Sequence, residues 1–219
     1  MGVHYHKRPI VTDGLVFQVD AANKLCGNVT DAKNMVNPTE LGSFVNGLTV
    51  NDNAYSFDGT NDYIVLSNTI TNTIYTLDFW YKMGVNDGSY GYFVSSGANG
   101  FAISEGGTVV GLSYGEFYYY NGTVSTRLGS SIPSLTEWNN ITSIIDTSSN
   151  IIKVYGNGSL ISNNSISNLS TSVTNIGRYI TGNSHFLNGG IANVNIYNKA
   201  LTQAEITQNY EATKSRYIN

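Results

Sequence analysis

Residues 187–217 read LNGGIANVNIYNKALTQAEITQNYEATKSRY, and the change of rhythm inside this stretch decides the fold. From Ile191 to Tyr197, the residues Ala192, Val194 and Ile196 alternate with Ile191, Asn193, Asn195 and Tyr197, a period of two that predicts a strand with one face buried. The period then changes. Thr202, followed three residues later by Glu205, has the form of a capping box: the hydroxyl serves the third helical amide and the carboxylate reaches back to the amide of Thr202. Leu201 and Ile206 occupy the hydrophobic-staple positions. One helix is expected to begin near Gln203 and to end between Ala212 and Lys214, with Ile206 and Tyr210, four apart, forming one narrow apolar face. A strand closed by a single helix, in a chain that otherwise reads as strand, predicts an all-β domain with a helical clasp.

Composition agrees. The 219 residues are 41% apolar, enough for one substantial core, and the expected organisation is an arm at residues 1–12 followed by one sandwich domain at 13–219. Charged residues make up only 12%, so solubility rests on the abundant Asn, Ser, Thr and Gly. Such a composition disfavours long helices and suits hairpins, because Asn and Gly tolerate left-handed backbone; it also suits permanent packing into an assembly. A net charge of -4 without a long basic run argues against nucleic acid as the main partner. The one basic cluster, His4, Tyr5, His6, Lys7 and Arg8, is either a solvated terminus or an assembly arm that docks on an acidic partner surface. His4 and His6 would point the same way on an extended arm, but no third ligand for a transition metal lies near them in sequence. Cys26 is the sole cysteine, which excludes an intrachain disulfide and leaves an idle, buried thiol as the expectation. Residues 1–10 lack the apolar core of a signal peptide and no run approaches the length of a membrane helix, so synthesis in a cytoplasm and no membrane partner are expected.

Working back along the chain, GLVFQVD at 14–20 reads as a strand with Leu15, Phe17 and Val19 on one face, and residues 24–53 as a long connection with one or two short strands. Residues 54–66 read as a hairpin turning at Asp58 to Asn61. There Asp58, Asn61 and Asp62 either offer oxygens to Ca²⁺ or hydrogen-bond the turn's own amides. In TLDFWYKM, residues 76–83, both alternating faces carry apolar surface, which predicts a central strand. Short strands follow between Tyr90 and Leu128; residues 138–146 pair with 151–161, Asn157-Gly158 makes a two-residue turn, and Ile166 and Leu169 anchor the Ser- and Asn-rich stretch at 162–175. The predicted common core is Leu15, Phe17, Phe57, Leu77, Phe79, Val194 and Ile196. The densest aromatic cluster is Tyr114, Phe117, Tyr118, Tyr119 and Tyr120 with Asn121, residue types that suit the C–H faces and hydroxyls of a glycan or a protein interface. Alternation sets Tyr118 and Tyr120 against Phe117 and Tyr119; either one pair is core and the other is exposed or under a neighbouring subunit, or both faces are core.

Several phrases resemble the concanavalin A-like, laminin-G-like domains. They are Asp20 to Asn23 (DAAN), Phe57 to Tyr63 (FDGTNDY), Phe79-Trp80, Trp138 with Ile141, Lys153 to Gly158 (KVYGNG), Asn175 to Tyr179 (NIGRY), and the closing series Phe186, Asn188 to Ile191, Val194 to Asn198, Ala200 to Thr202, Glu205, Ile206, Asn209 and Tyr210. The resemblance covers about residues 14–217 and implies a two-sheet antiparallel sandwich, the concanavalin A-like jelly roll, with one short C-terminal helix. The related glucanases carry catalytic carboxylates as alternate residues of one strand, whereas Glu40, Glu105, Glu116, Glu137, Glu205 and Glu211 are isolated here, so no enzyme activity is expected. The wording is most similar to laminin-G-like proteins of tailed-bacteriophage virions. That resemblance implies a structural virion protein in a capsid decoration, fibre or tail, homo-oligomeric, made in the host cytoplasm and partnered by capsid or tail subunits. A host-surface glycan is its further implied partner, and no cofactor is expected apart from Ca²⁺ at the turn. The alternative is a free carbohydrate-binding, lectin-like module.

Overall fold

The computed structural model describes residues 9–26, 30–84, 90–104, 115–129, 134–179 and 185–218. Among them the strands are β1 (Leu15–Asp20), β2 (Asp31–Lys33), β3 (Leu41–Val45), β4 (Thr49–Asn51), β5 (Ala54–Asp58), β6 (Tyr63–Thr71), β7 (Ile74–Met83) and β8 (Tyr90–Ser96). They continue with β9 (Asn99–Ser104), β10 (Phe117–Asn121), β11 (Ser125–Gly129), β12 (Asn139–Asp146), β13 (Ile151–Gly156), β14 (Ser159–Ser165), β15 (Ser172–Ile176) and β16 (Asn188–Tyr197). One helix, α1 (Gln203–Thr213), and a 3-10 turn at Lys214–Arg216 close the chain.

The strands form two antiparallel sheets packed face to face. The first has the order β14-β13-β12-β7-β16-β5-β4, and the second β11-β10-β9-β8-β15-β6-β3-β2. Strand β16 is long enough to serve two neighbours on one edge: β5 pairs with Asn188 to Ile191, and β1 with Asn193 to Tyr197. Between the sheets lies one apolar core that includes Phe17, Phe57, Leu77, Phe79, Phe93, Phe101, Phe117, Val194 and Ile196. As its two apolar faces predict, β7 lies between β12 and β16 and is buried on both sides. The Asn157-Gly158 turn joins β13 to β14 with both residues in left-handed backbone, at φ 51° and 80°, the conformation a two-residue hairpin needs. Ile166 and Leu169 are buried, as their isolation among polar residues implies.

Four expectations need correction. Strand β16 buries both faces, because a bulge between Ile191 and Val194 shifts the alternation: Ile191, Val194 and Ile196 all face the sandwich core, while Ala192, Asn195 and Tyr197 lie beneath α1 or its flanks. A second bulge, between Leu15 and Phe17, takes Leu15 out of the common core and sets it beside a small cluster of Ile144, Tyr155, Tyr197 and Ile206. Residues 54–66 are not a hairpin: β5 pairs with β16 and β4 in the first sheet, and β6 with β15 and β3 in the second, so the turn carries the chain across the sandwich. The connection at 24–53 holds three short strands rather than one or two. The helix follows its sequence signal closely: the hydroxyl of Thr202 accepts from the amide of Glu205 at 3.3 Å, and the carboxylate of Glu205 accepts from the amide of Thr202 at 2.8 Å.

Candidate functional site

The two sheets differ in what covers their outer faces. Helix α1 lies over the first sheet and is fastened to it by a buried polar cluster. The carboxylate of Asp78, on β7, accepts at Oδ1 from Asn140 Nδ2 (2.9 Å) and Thr142 Oγ1 (3.0 Å), and at Oδ2 from Asn209 Nδ2 (3.0 Å) and Asn195 Nδ2 (3.3 Å). Burial outweighs these four donors and raises the carboxyl above its ordinary value. Asn209 is the junction. Its amide also donates to the hydroxyl of Tyr197 (2.9 Å), and its carbonyl accepts from the amide of Val11 (2.8 Å), which ties the segment before β1 to the helix. Trp80 lies alongside, fully buried, with its indole N–H donating to Thr213 Oγ1 and its ring against Tyr210 and Tyr217. Reading the sequence by periodicity missed this cluster. Its signal was a lone Asp in the middle of an apolar strand, in a chain rich in Asn.

The outer face of the second sheet carries no helix among the described residues. Phe117 and Tyr119 face the core, and the hydroxyl of Tyr119 accepts from the amide of Ser170 at 2.8 Å, with its pKa pushed up to about 12 by burial. Tyr118 points the other way yet is 1% exposed, because Tyr92 packs edge-on against it and Tyr120 and Tyr179 flank the pair. Of the two alternatives for this strand, core on both faces is the one that holds: Phe117, Tyr118 and Tyr119 are all buried, and Tyr120 is half-buried. Tyr120, Tyr179 and His185 remain half-buried, and burial holds the imidazole of His185 below its ordinary pKa. Beside them the guanidinium of Arg178 lies 3.6 Å over the ring of Tyr63, and its Nη2 donates to Asn175 Oδ1 at 3.4 Å. Asn121 is occupied by its own turn: its Oδ1 accepts from the amides of Thr123 and Val124, and its Nδ2 donates to the carbonyl of Ser167. Tyr114 and the cluster His4, Tyr5, His6, Lys7 and Arg8 lie outside the described residues.

At the candidate cation turn, Asp58 Oδ1 accepts from the amides of Thr60 (2.8 Å) and Asn61 (3.2 Å), the local alternative to metal binding. Asn61 contributes its backbone carbonyl to Asn46 Nδ2. Asp62 is 5% exposed, and burial, followed by the nearby charge of Asp58, raises its carboxyl. Among the described residues no group of three or more His, Cys, Asp or Glu side chains is arranged to hold a metal ion. Other carboxylates are built into the fold: Asp20 pairs in two-pronged fashion with Arg216, Glu205 closes the capping box beside Lys199, and Asp146 accepts from Ser148 and Ser149. Among the described residues no helix is long and apolar enough to cross a membrane.

A sequence search of curated proteins finds no match. Solved structures do match in shape. Trypanosoma rangeli sialidase in complex with sialic acid superposes with a TM-score of 0.68 at 14% identity, over 96% of this chain and 35% of that one. A heptameric SAP-like pentraxin from Limulus polyphemus gives 0.53 at 14% identity, over 69% of this chain and 78% of that one. The chain spans about a third of the sialidase it matches, and at these identities the likeness is one of fold. Residues 58–207, from the turn of Asp58 through the helix start that the opening stretch announces, match the family described as the concanavalin A-like lectin/glucanases superfamily, and the chain belongs to it.

Proposed function

We propose that the protein is a non-enzymatic structural and adhesion subunit, carried in the virion of a tailed bacteriophage, whose working surface is the outer face of the second sheet. The observation that carries this reading is the contrast between the two faces. One is sealed by α1 through the Asp78 cluster; the other presents half-buried Tyr120, Tyr179, His185 and Arg178 around a tyrosine-packed floor. Tyrosine and amide surfaces cost less to desolvate in lasting contacts than ions do, which suits a subunit built into a particle. The same tyrosines offer rings for the C–H faces of sugars, which suits adhesion to a surface glycan. Engagement of Asp20, Asp78, Asp146 and Glu205 within the fold supports a role without chemistry.

The test is particle incorporation. Removing residues 1–8 spares Pro9 and Val11, which hold α1 through Gln208 and Asn209, so the domain is expected to fold and to be lost from particles. Incorporation of the shortened chain would refute the arm as the anchor. The second reading, a free carbohydrate-binding module, is favoured by the fold shared with a sialidase solved with sialic acid. It prevails if the intact protein never co-purifies with particles yet is retained on a glycan column, with retention lost on Tyr120→Ala.

A further inference from the structure

Among the described residues the first sheet ends in β14, β4 and β1 and the second in β11 and β2, and four of these five edges are blunted. β1 is covered by the chain ahead of β3: the amide of Gln18 donates to Asn34 Oδ1 (3.0 Å), and its carbonyl accepts from the amide of Met35 (2.8 Å). β2 and β4 have three residues each, and β2 carries Asp31 and Lys33. β11 carries Arg127, paired with Glu116 at 3.3 Å, and the Arg127 carbonyl accepts from Asn164 Nδ2 at 3.0 Å. Charge, shortness and cover are devices that keep a free edge from pairing with another chain. β14 has none of the three. Its sequence, SLISNNS, holds no charge and no proline over seven residues, and among the described residues no strand pairs with it on the side away from β13. Its register slips once, between the partners of Val154 and Tyr155, which leaves Ile161 in excess. That side chain turns inward, against the core and so close to Gly156 that a Cβ there would meet it at 2.8 Å. Ser162 to Ser165 then run in regular register with Val154 to Ile151, so alternate residues direct both N–H and C=O outward.

We infer that β14 is a surface through which two copies of this chain join, pairing antiparallel about a twofold axis at Asn163 so that their first sheets become one. A twofold axis sets the strand against itself, and a charge at its centre would face its own counterpart. On β14 no such opposition arises. Asn163 meets Asn163, and Ser162 meets Asn164, hydroxyls and amides that can bond one another across the pair. The nearest charge is Lys153, opposite Asn163 on β13. Three strand spacings of about 4.8 Å hold it on the order of 14 Å from its counterpart, beyond the screening length of about 8 Å. Leu160, 53% exposed, flanks the paired residues and loses contact with water as they close. A contact of one strand edge is small, so the expected dissociation constant is micromolar. It uses neither residues 1–8 nor the tyrosine face, and it stands whether or not the virion reading does.

Analytical ultracentrifugation tests this on the intact chain and on the chain lacking residues 1–8, over concentrations from about 5 to 500 µM. Both are expected to show a monomer–dimer equilibrium. Asn163→Glu sets a carboxylate beside Lys153 of its own chain, which favours the fold, but against a second carboxylate across the axis. Asn163→Lys opposes itself in the same way. Each variant should weaken the dimer about tenfold or more, with circular dichroism checking that both are folded. An equimolar mixture of the two should restore it, because Glu then faces Lys. Tyr120→Ala should leave the equilibrium unchanged. The inference is overturned if the intact chain stays monomeric over the whole range, if the dimer survives both Asn163 variants, or if mixing them restores nothing. It is equally overturned if self-association disappears with residues 1–8, a result that would place the contact in the arm and speak for the assembly reading.

Discussion

Replacing Asn209 by Ala tests whether the buried polar cluster is what holds the helix to the sandwich. The substitution removes three contacts at once: the donor to Asp78 Oδ2 (3.0 Å), the donor to Tyr197 Oη (2.9 Å), and the acceptor for the amide of Val11 (2.8 Å). A hydrogen bond to a charged group contributes about 1.5–3 kcal/mol, and an orphaned buried N–H costs about 1–3 kcal/mol. Tyr197 keeps its own bond to the carbonyl of Val11, so its loss is small. Against this, Ala favours the helix over Asn by about 0.5 kcal/mol. The net expected cost is about 3–5 kcal/mol, a large share of the roughly 5–15 kcal/mol available to a folded domain. For a chain of this size that lowers the thermal midpoint by on the order of 10 °C. Differential scanning calorimetry gives the midpoint, and near-ultraviolet circular dichroism follows Trp80, which α1 covers. Asn209→Asp sharpens the test: it sets a second carboxylate against Asp78, and its penalty should shrink as the pH falls and the pair takes up a proton. If Asn209→Ala shifts the midpoint by less than about 2 °C, the helix is held by apolar packing and the network argument is wrong.

Three further outcomes follow from the same geometry. Thr202→Ala removes the cap on the Glu205 amide and should cost about 1 kcal/mol, checked by urea denaturation; an unchanged midpoint would mean that Lys199 and Glu205 hold the helix start without it. The pH profile has two opposed parts. Glu205, held down first by Lys199, and Asp146, held down by the hydroxyls of Ser148 and Ser149, contribute stability that is present above about pH 4 and lost as the pH falls through their lower folded values. Asp78, raised by burial, contributes stability that is present below its unfolded value and lost as the pH rises through its folded one. Asp78→Asn should remove only this second part, because the partnerless buried oxygens of Asn140 and Asn195 can turn to accept from the new amide; a larger loss at neutral pH than in Asp78→Ala would sink that account. Finally, Ca²⁺ or a chelator is expected to leave the midpoint unmoved, since the turn amides occupy Asp58 Oδ1; a Ca²⁺-dependent rise abolished by Asp62→Asn would reverse this.

What the sequence made legible was whatever depends on neighbours a few residues away. The capping box at Thr202 and Glu205, the left-handed turn at Asn157-Gly158 and the two-faced burial of β7 are local properties, and each stands where its signal lies. What failed depends on distant partners. The turn formers between Phe57 and Tyr63 look alike whether the chain returns within its sheet or crosses to the other, and only the pairing of β5 with β16 and of β6 with β15 decides between them. A bulge is likewise invisible to a period count. One extra residue before Val194 leaves the apolar letters in place and changes which of them share a face. The Asp78 cluster is the extreme case, since its donor Asn209 lies 131 residues away and an isolated Asn carries no pattern.

Two of these misreadings, the bulges, lie on the β1–β16 pair. The bulge on β16 lies where that strand passes from β5 to β1, the bulge on β1 lies at the far end of their pairing, opposite Tyr197 and Ile196, and between them they bring Tyr197, Asn195 and Leu15 to the outer face of the first sheet. That face would otherwise be an ordinary half-polar sheet surface; it becomes a second, smaller core with α1 as its lid. An element fixed in this way cannot move without breaking the bonds of Asn209 to Asp78, Tyr197 and Val11 and that of Trp80 to Thr213, so the proposed adhesion would fall to a surface that needs no movement. Such a surface exists among the described residues in the tyrosine floor of the second sheet. It is walled by rings packed on other rings, Tyr92 edge-on against Tyr118 with Tyr120 and Tyr179 beside them, so its shape is set by the fold. Pre-formed aromatic walls lower the ordering cost of binding, and the proposed adhesion to a surface glycan would draw on that saving.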